Sequence, residues 1–275
     1  PTSTRAPGAR GVHLRTIDLD DRAAERSGHP FDLPLVRHWG AIELTTPVTF
    51  LVGENATGKS TFLEALAVAA GSIVVGQSDA ARDPTLATAR ALASHMRLAW
   101  RVRTRKGFFL RAEDFFAYVR GLHALRSELE SMADHFGRSL DGYGRQLAMG
   151  AALGQAAELE RRYDGDLDAR SHGESFLALF QARFRPGGLH LLDEPEAALS
   201  PTSQLALLAL LGDCVEQGGQ FVIATHSPIV MALPGARILS FDDHPVHEVP
   251  YDDVPHVQLW RDFMRYPALF LGRLR

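Results

Sequence analysis

The sequence predicts an α/β protein: a mostly parallel central sheet with a helical insertion. Three observations predict it. Short apolar runs alternate with stretches of helical periodicity, which favours parallel strands joined by helices. A glycine-rich turn links the first clear run to the first clear helix. Two later runs, Leu189 to Leu192 and Gln220 to Ala224, end abruptly in polar residues, as strands do whose C-terminal ends face a ligand.

In chain order, Thr46 to Val52 is β-branched and apolar and reads as a buried strand, followed by a helix over Ser60 to Ala70. Arg97 to Leu110 reads as two strands around a turn at Arg105-Lys106-Gly107. Asp114 to Phe136 and Leu147 to Arg162 have helical character and form the insertion, about residues 114–170, with loops at Arg138 to Tyr143 and Asp164 to Gly173. Ser175 to Phe184 and Pro201 to Leu211 complete the helices around the last two strands.

The 275 residues, 45% hydrophobic and 23% charged, are close to the globular average, which excludes a disordered or fibrous chain. A single domain spanning 1–275 can bury its core without disulfides or metals, with residues 1–11 as a flexible tail. One cysteine, Cys214, allows no internal disulfide and fits a reducing, cytoplasmic setting. No apolar stretch is long enough to span a bilayer. A net charge of −4 excludes a globally basic coat for nucleic acid but not a local patch. Only Lys59 and Lys106 are lysines among 29 basic residues, so a lysine here suggests a position that needs one.

The strongest motif is Gly53-Glu54-Asn55-Ala56-Thr57-Gly58-Lys59-Ser60, followed by Thr61. It satisfies G-x-x-x-x-G-K-[ST] between a strand and a helix, the context a phosphate loop requires. Its glycines let the backbone curl into a nest of N–H groups, and the helix N-terminus adds positive charge. Lys59 would reach the β- and γ-phosphates of ATP, and Ser60 would ligate Mg²⁺. In Leu189-His-Leu-Leu-Asp193-Glu194-Pro195, Asp193 is expected to hold Mg²⁺ and Glu194 to act as general base on the attacking water. His226, at the tip of the Gln220 to Ala224 run, could contact the γ-phosphate or orient that water. Ser171-His172-Gly173-Glu174-Ser175 offers a hydroxyl and an N–H at a helix start, an anion-binding corner.

The order of phosphate loop, Ser-x-Gly, Asp-Glu-Pro and strand-end histidine resembles the nucleotide-binding domain of ABC-type ATPases, whose signature is Leu-Ser-Gly-Gly-Gln. The motif-bearing parts are Val48 to Leu66 and Arg170 to Pro228. Gly107-Phe-Phe-Leu-Arg-Ala-Glu113, Ser-His-Gly-Glu-Ser and Asp-Glu-Pro-Glu-Ala-Ala-Leu-Ser further resemble small stand-alone bacterial ATPases of the ABC or AAA family, and that likeness extends over most of the chain. The resemblance implies a P-loop NTPase of ABC-ATPase type that forms an ATP-dependent head-to-tail homodimer, with Ser171 and Gly173 touching the γ-phosphate in trans. His172, Glu174 and Ser200 depart from the usual pattern, Ser200 standing where an aspartate is common. No plain glutamine loop is visible; Gln77 comes soon after Lys59, and Glu113 is the weak metal-site candidate. Phe31 and Trp39 are candidates for stacking on adenine.

These residues predict a soluble Mg-dependent ATP hydrolase that uses the dimer cycle to drive conformational change in a protein client. Two alternatives share the machinery. One is an ATP-gated clamp on nucleic acid, for which Arg97, Arg101, Arg103, Arg105, Lys106 and Arg111 form the densest basic stretch, with Arg101, Arg103 and Arg105 on one strand face. The other is the ATPase subunit of a transporter. A small-molecule P-loop kinase would leave Glu194 and the signature unexplained. Asp242-Asp243 and Asp252-Asp253, flanked by prolines, read as solvated turns.

Overall fold

The computed structural model describes residues 11–74, 80, 83–139, 141–162 and 172–272. Strand β1 is Leu14–Leu19, helix α1 Pro34–Arg37, β2 Ile42–Glu43, β3 Val48–Val52, α2 Lys59–Ala70, α3 Ala87–Ala93, β4 Met96–Trp100 and β5 Phe109–Arg111. Helices α4 (Ala112–Ser139) and α5 (Gly142–Arg162) follow, then α6 (His172–Arg183), β6 (Leu189–Asp193), α7 (Pro201–Glu216), β7 (Gln220–Ala224), α8 (Pro228–Met231), β8 (Arg237–Ser240), β9 (His247–Glu248), α9 (Pro255–Arg265) and α10 (Pro267–Leu271).

The main sheet has six strands in the order β5-β6-β7-β3-β8-β9, all parallel except the edge strand β9. A strand buried on both faces favours a near-continuous apolar run, and every residue of β3, β6 and β7 is buried, the polar Thr49, His190, Asp193 and Gln220 among them. Alternation sends Val48, Phe50 and Val52 to one core and Leu51 to the other. The first core lies under α2 and α3; the second holds Phe176 and Phe180 of α6, Leu207 and Leu211 of α7, and Val257 of α9. The sheet is therefore sandwiched between two helical layers, and the C-terminal ends of β3, β6 and β7 share one edge.

A second sheet, β2-β1-β4, is antiparallel. Gln220, buried at the start of β7, ties the two sheets together: its Oε1 accepts from the N–H groups of His13 and Leu14 at 2.8 Å, and its Nε2 donates to the Leu14 carbonyl. This arrangement corrects the expected pairing within Arg97 to Leu110. β4 pairs with β1, whereas β5 pairs with β6, so the two runs are no hairpin. Residues 101–107 are irregular, and Arg101, Arg103 and Arg105 do not line a strand face. The glycine at position 107 explains the break. Its φ is +109°, and a Cβ there would fall 1.8 Å from the Leu189 carbonyl oxygen, so this segment crosses β6 too closely for any side chain.

The insertion is an antiparallel pair, α4 and α5, and its helices are longer than the sequence suggested. α4 runs to Ser139 and α5 begins at Gly142, which leaves little of the expected loop. Exposed Leu125, Met132, Leu147 and Leu153 lie along the pair. Among the described residues no helix is long and apolar enough to cross a membrane.

Candidate functional site

The strand edge and the phosphate loop meet at one cavity of about 210 Å³, lined by His29, Leu33, Asn55, Ala56, Gly58, Lys59, Ser60, Thr61, Glu194 and His226. β3 delivers the loop, and β6 and β7 deliver the acids and the histidine from adjacent positions of the same sheet. Three loop residues adopt left-handed backbone: Gly53 (φ 146°), Ala56 (φ 67°) and Gly58 (φ 97°). For Ala56 this conformation costs about 1 kcal/mol or more, and it turns successive amides inward. Thr57 Oγ1 donates to the Glu54 carbonyl at 2.9 Å and tightens the turn.

Lys59, buried at the start of α2, donates from Nζ to the carbonyls of Gly53 (2.7 Å) and Glu54 (2.8 Å). Burial lowers its pKa, and the carboxylates of Asp242, Asp193, Glu194 and Glu54 act against that shift. Asp193 ends β6 with its carboxyl almost wholly enclosed. Burial raises its pKa to about 7, against a hydrogen bond from Ser60, and its Oδ1 has no partner among the described residues. An enclosed carboxylate with an orphaned oxygen beside the Ser60 hydroxyl is a cation-ready arrangement, so these residues fit Mg²⁺.

Glu194 follows in a left-handed conformation, φ 50°, pinned by its N–H to the Ala224 carbonyl at 2.9 Å. A non-glycine residue persists there only when its surroundings impose it, and here the twist sends Glu194 into the cavity while Asp193 stays under the loop. His226 Nε2 lies 3.8 Å from Glu194 Oε1, is buried, and has no hydrogen-bond partner among the described residues. Burial, followed by the positive charges of Lys59 and His256, lowers the His226 pKa, which favours a neutral ring near pH 7.

Several contributors were not singled out from the sequence. Glu196, half-buried behind the site, accepts from Thr225 Oγ1 (2.7 Å) and from the backbone N–H groups of His226 (2.8 Å) and Ser227 (3.2 Å). It thereby fixes the segment that carries His226. Its signal was the second glutamate of Asp-Glu-Pro-Glu, two residues past the general-base candidate. Asp242 corrects the reading of Asp242-Asp243 as a solvated turn: its Oδ1 accepts from the Glu54 N–H at 2.6 Å and anchors the loop. Only the pairing of β8 with β3 brings it there. His256 of α9 packs edge-on against His226, with ring centroids 5.1 Å apart.

The remaining candidates fall elsewhere. Phe31 is buried in the core at 3% exposure and cannot stack on a base. Trp39 packs against Phe62 and donates from Nε1 to Asp18 at 3.1 Å; His29 and Leu33 are the residues of that region that reach the cavity. Glu113 sits in the first turn of α4, largely exposed, 3.4 Å from Arg111 and not among the cavity-lining residues. Gly173 lies in the first turn of α6, while Ser171 and Gln77 lie outside the described residues. Ser200 caps α7, its hydroxyl accepting from the Ser203 N–H, so a serine serves that turn as an aspartate would. Arg111 leaves the proposed basic face altogether. It is buried beneath the site, held by Asp114 at 2.7 and 2.8 Å and by Thr85 at 3.0 Å, with Glu64 and Asp83 alongside.

A phosphate loop, a buried strand-end aspartate, an adjacent glutamate and a histidine thus meet on one edge of a mostly parallel sheet, the arrangement a P-loop nucleotide site requires. Residues 101–232, just under half of the chain, match the family model described as "AAA domain, putative AbiEii toxin, Type IV TA system". Comparison with curated proteins found no match. Among solved structures, the chain is similar to cbiO1 from Clostridium perfringens, part of the ABC transporter complex cbiONQ (14% identity, 83% of this chain and 88% of that chain, TM-score 0.41). It is also similar to a nucleotide-free ATP-binding cassette from an ABC transporter (13% identity, 79% and 89%, TM-score 0.43). A third is the SMC head bound to the C-winged helix domain of ScpA (12% identity, 86% and 96%, TM-score 0.44).

Proposed function

We propose that this chain is a cytoplasmic, Mg-dependent ATPase that binds ATP between two copies arranged head to tail and passes the resulting closure to a protein client. The observation that carries this reading is the convergence of Lys59, Ser60, Asp193, Glu194 and His226 at one strand edge. In it, the loop amides and Lys59 bind the phosphates, Lys59 exchanging its two carbonyl acceptors for phosphate oxygens. Ser60 and Asp193 hold Mg²⁺, which supplies charge neutralisation of the phosphates when bound. Glu194 takes the proton of the attacking water, and neutral His226 orients that water or donates to the γ-phosphate. Ser171 and Gly173 close the site from the second copy.

The test is Glu194→Gln, which keeps size and hydrogen bonding but removes the base. Turnover should fall by roughly two to four orders of magnitude while ATP binding survives. The variant should accumulate as an ATP-bound dimer by light scattering and remain monomeric with ADP. Wild-type turnover would remove Glu194 from its role, and an ATP-bound monomer at high concentration would remove the shared site.

A further inference from the structure

On the sheet edge opposite the nucleotide cavity, before the N-terminal ends of β5 and β6, lies a second cavity of about 490 Å³. Its rim carries Arg105, Lys106 and Arg185, all exposed, and Arg183, which is engaged with a partner of its own; Phe108 and Ile73 form its apolar wall. No acidic residue lines it. Among the described residues Arg105, Lys106 and Arg185 form no ion pair, although elsewhere the surface arginines Arg37, Arg237 and Arg261 each hold a carboxylate.

The cations are presented by a rigid support. Leu189 N–H donates to the Lys106 carbonyl at 2.9 Å, Thr104 Oγ1 to the Gly187 carbonyl at 3.0 Å, and Gly188 N–H to the Arg185 carbonyl at 3.0 Å. Gly107, pressed against Leu189, locks the two turns together. The three cations have no carboxylate partner among the described residues, so an anion entering the cavity meets uncompensated positive charge. Lys106 is also the only lysine besides the phosphate-loop residue in a chain that otherwise uses arginine. A compact ammonium beside planar guanidinium forks is suited to phosphate, and the cavity has room for more than a bare phosphate.

We propose that this cavity is a second anion site that takes a phosphate-bearing ligand, its phosphate on Lys106, Arg105 and Arg185 and its apolar portion against the exposed Ile73. The phosphate could belong to a free small molecule or to a single-stranded nucleic acid. The proposal is independent of how ATP is used at the other edge.

Pyridoxal 5′-phosphate followed by borohydride is a direct probe, because it reports on lysines and this chain has two, with Lys59 buried. Mass spectrometry should find Lys106 modified first. In Arg105→Gln/Arg185→Gln, labelling of Lys106 should slow at least about tenfold, while labelling by phosphate-free pyridoxal changes by less than about threefold. Protection by millimolar pyrophosphate, with no added effect of a 5′-phosphorylated 12-mer oligothymidylate, assigns a small ligand. Protection by the oligomer at concentrations at least about tenfold lower, weakening steeply with salt, assigns nucleic acid. Equal slowing of both aldehydes in the double variant, or protection by neither anion, overturns the site.

Discussion

Lys59 shows how much one side chain carries in this molecule. Its ammonium is buried and, among the described residues, donates to the Gly53 and Glu54 carbonyls, acceptors that it can trade for phosphate oxygens without moving far. Lys59→Ala should therefore abolish ATP binding or turnover, measured by calorimetry and phosphate release, in a protein with an unchanged circular dichroism spectrum. Lys59→Arg should fail as well, because a planar fork does not replace a compact ammonium. Glu196 acts at one remove. Removing its carboxylate in Glu196→Ala leaves the Thr225 hydroxyl and the His226 amide without their acceptor, and the Ser227 amide with Thr225 Oγ1 alone. The expected result is a loss of about 1–3 kcal/mol in stability by urea unfolding. If Glu196 positions His226, kcat should also fall with little change in KM for ATP, and a purely structural role would leave kcat of the folded fraction at the wild-type value.

At the scale of elements, buried charged and titratable groups sit at both ends of the β5–β6 pair. Below the site, Arg111 of β5 bridges to Asp114, Glu64 and Asp83, three carboxylates from different parts of the chain. The Asp83 side chain is fully buried, so Arg111→Leu would strand a charge, and a loss of about 3–5 kcal/mol is expected by denaturant titration. At the other end, His190 of β6 is buried among Phe108, Phe184 and Phe221, with ring centroids 4.9 to 5.2 Å away. Burial lowers its pKa to about 4, below the ordinary value of 6.5 that the unfolded chain would show. The unfolded state then binds the extra proton first as pH falls, so stability present above pH 6.5 is lost progressively down to about pH 4, by roughly 3 kcal/mol. His190→Phe should flatten that part of the stability–pH curve, measured by melting temperature between pH 7 and 4; an unchanged slope would show that His190 is not its source.

For the whole molecule, the decisive property is whether two copies share each site. Ser171→Arg and Lys59→Ala proteins should each be inactive alone. Mixing them should form some dimers with one site defective in both elements and the other intact, and restore part of the ATPase activity if one intact site suffices. Wild-type activity should also rise more steeply than protein concentration at low concentration. A demonstrable monomer with a concentration-independent specific rate contradicts the shared site.

Sequence alone determined the strands and helices whose signals are local: the mostly apolar runs of β3, β6 and β7, the phosphate loop before α2, and the acids and histidine at strand tips. A strand buried on both faces favours a near-continuous apolar run, and a phosphate nest needs glycine at fixed spacing, so both leave marks that survive without knowledge of neighbours. β1, in the second sheet, and the short β8 and β9 left weaker marks. The pairing of β4 with β1 rather than with β5 left none, because partners far apart in the chain are chosen by packing. Tertiary structure alone decided that Arg111 is buried in carboxylates and that Phe31 belongs to the core. It also decided that Asp242 steadies the phosphate loop and that His29, not Trp39, faces the cavity. Each depends on contacts between distant segments, where burial and charge pairing are settled by the assembled sheet and not by the residues on either side.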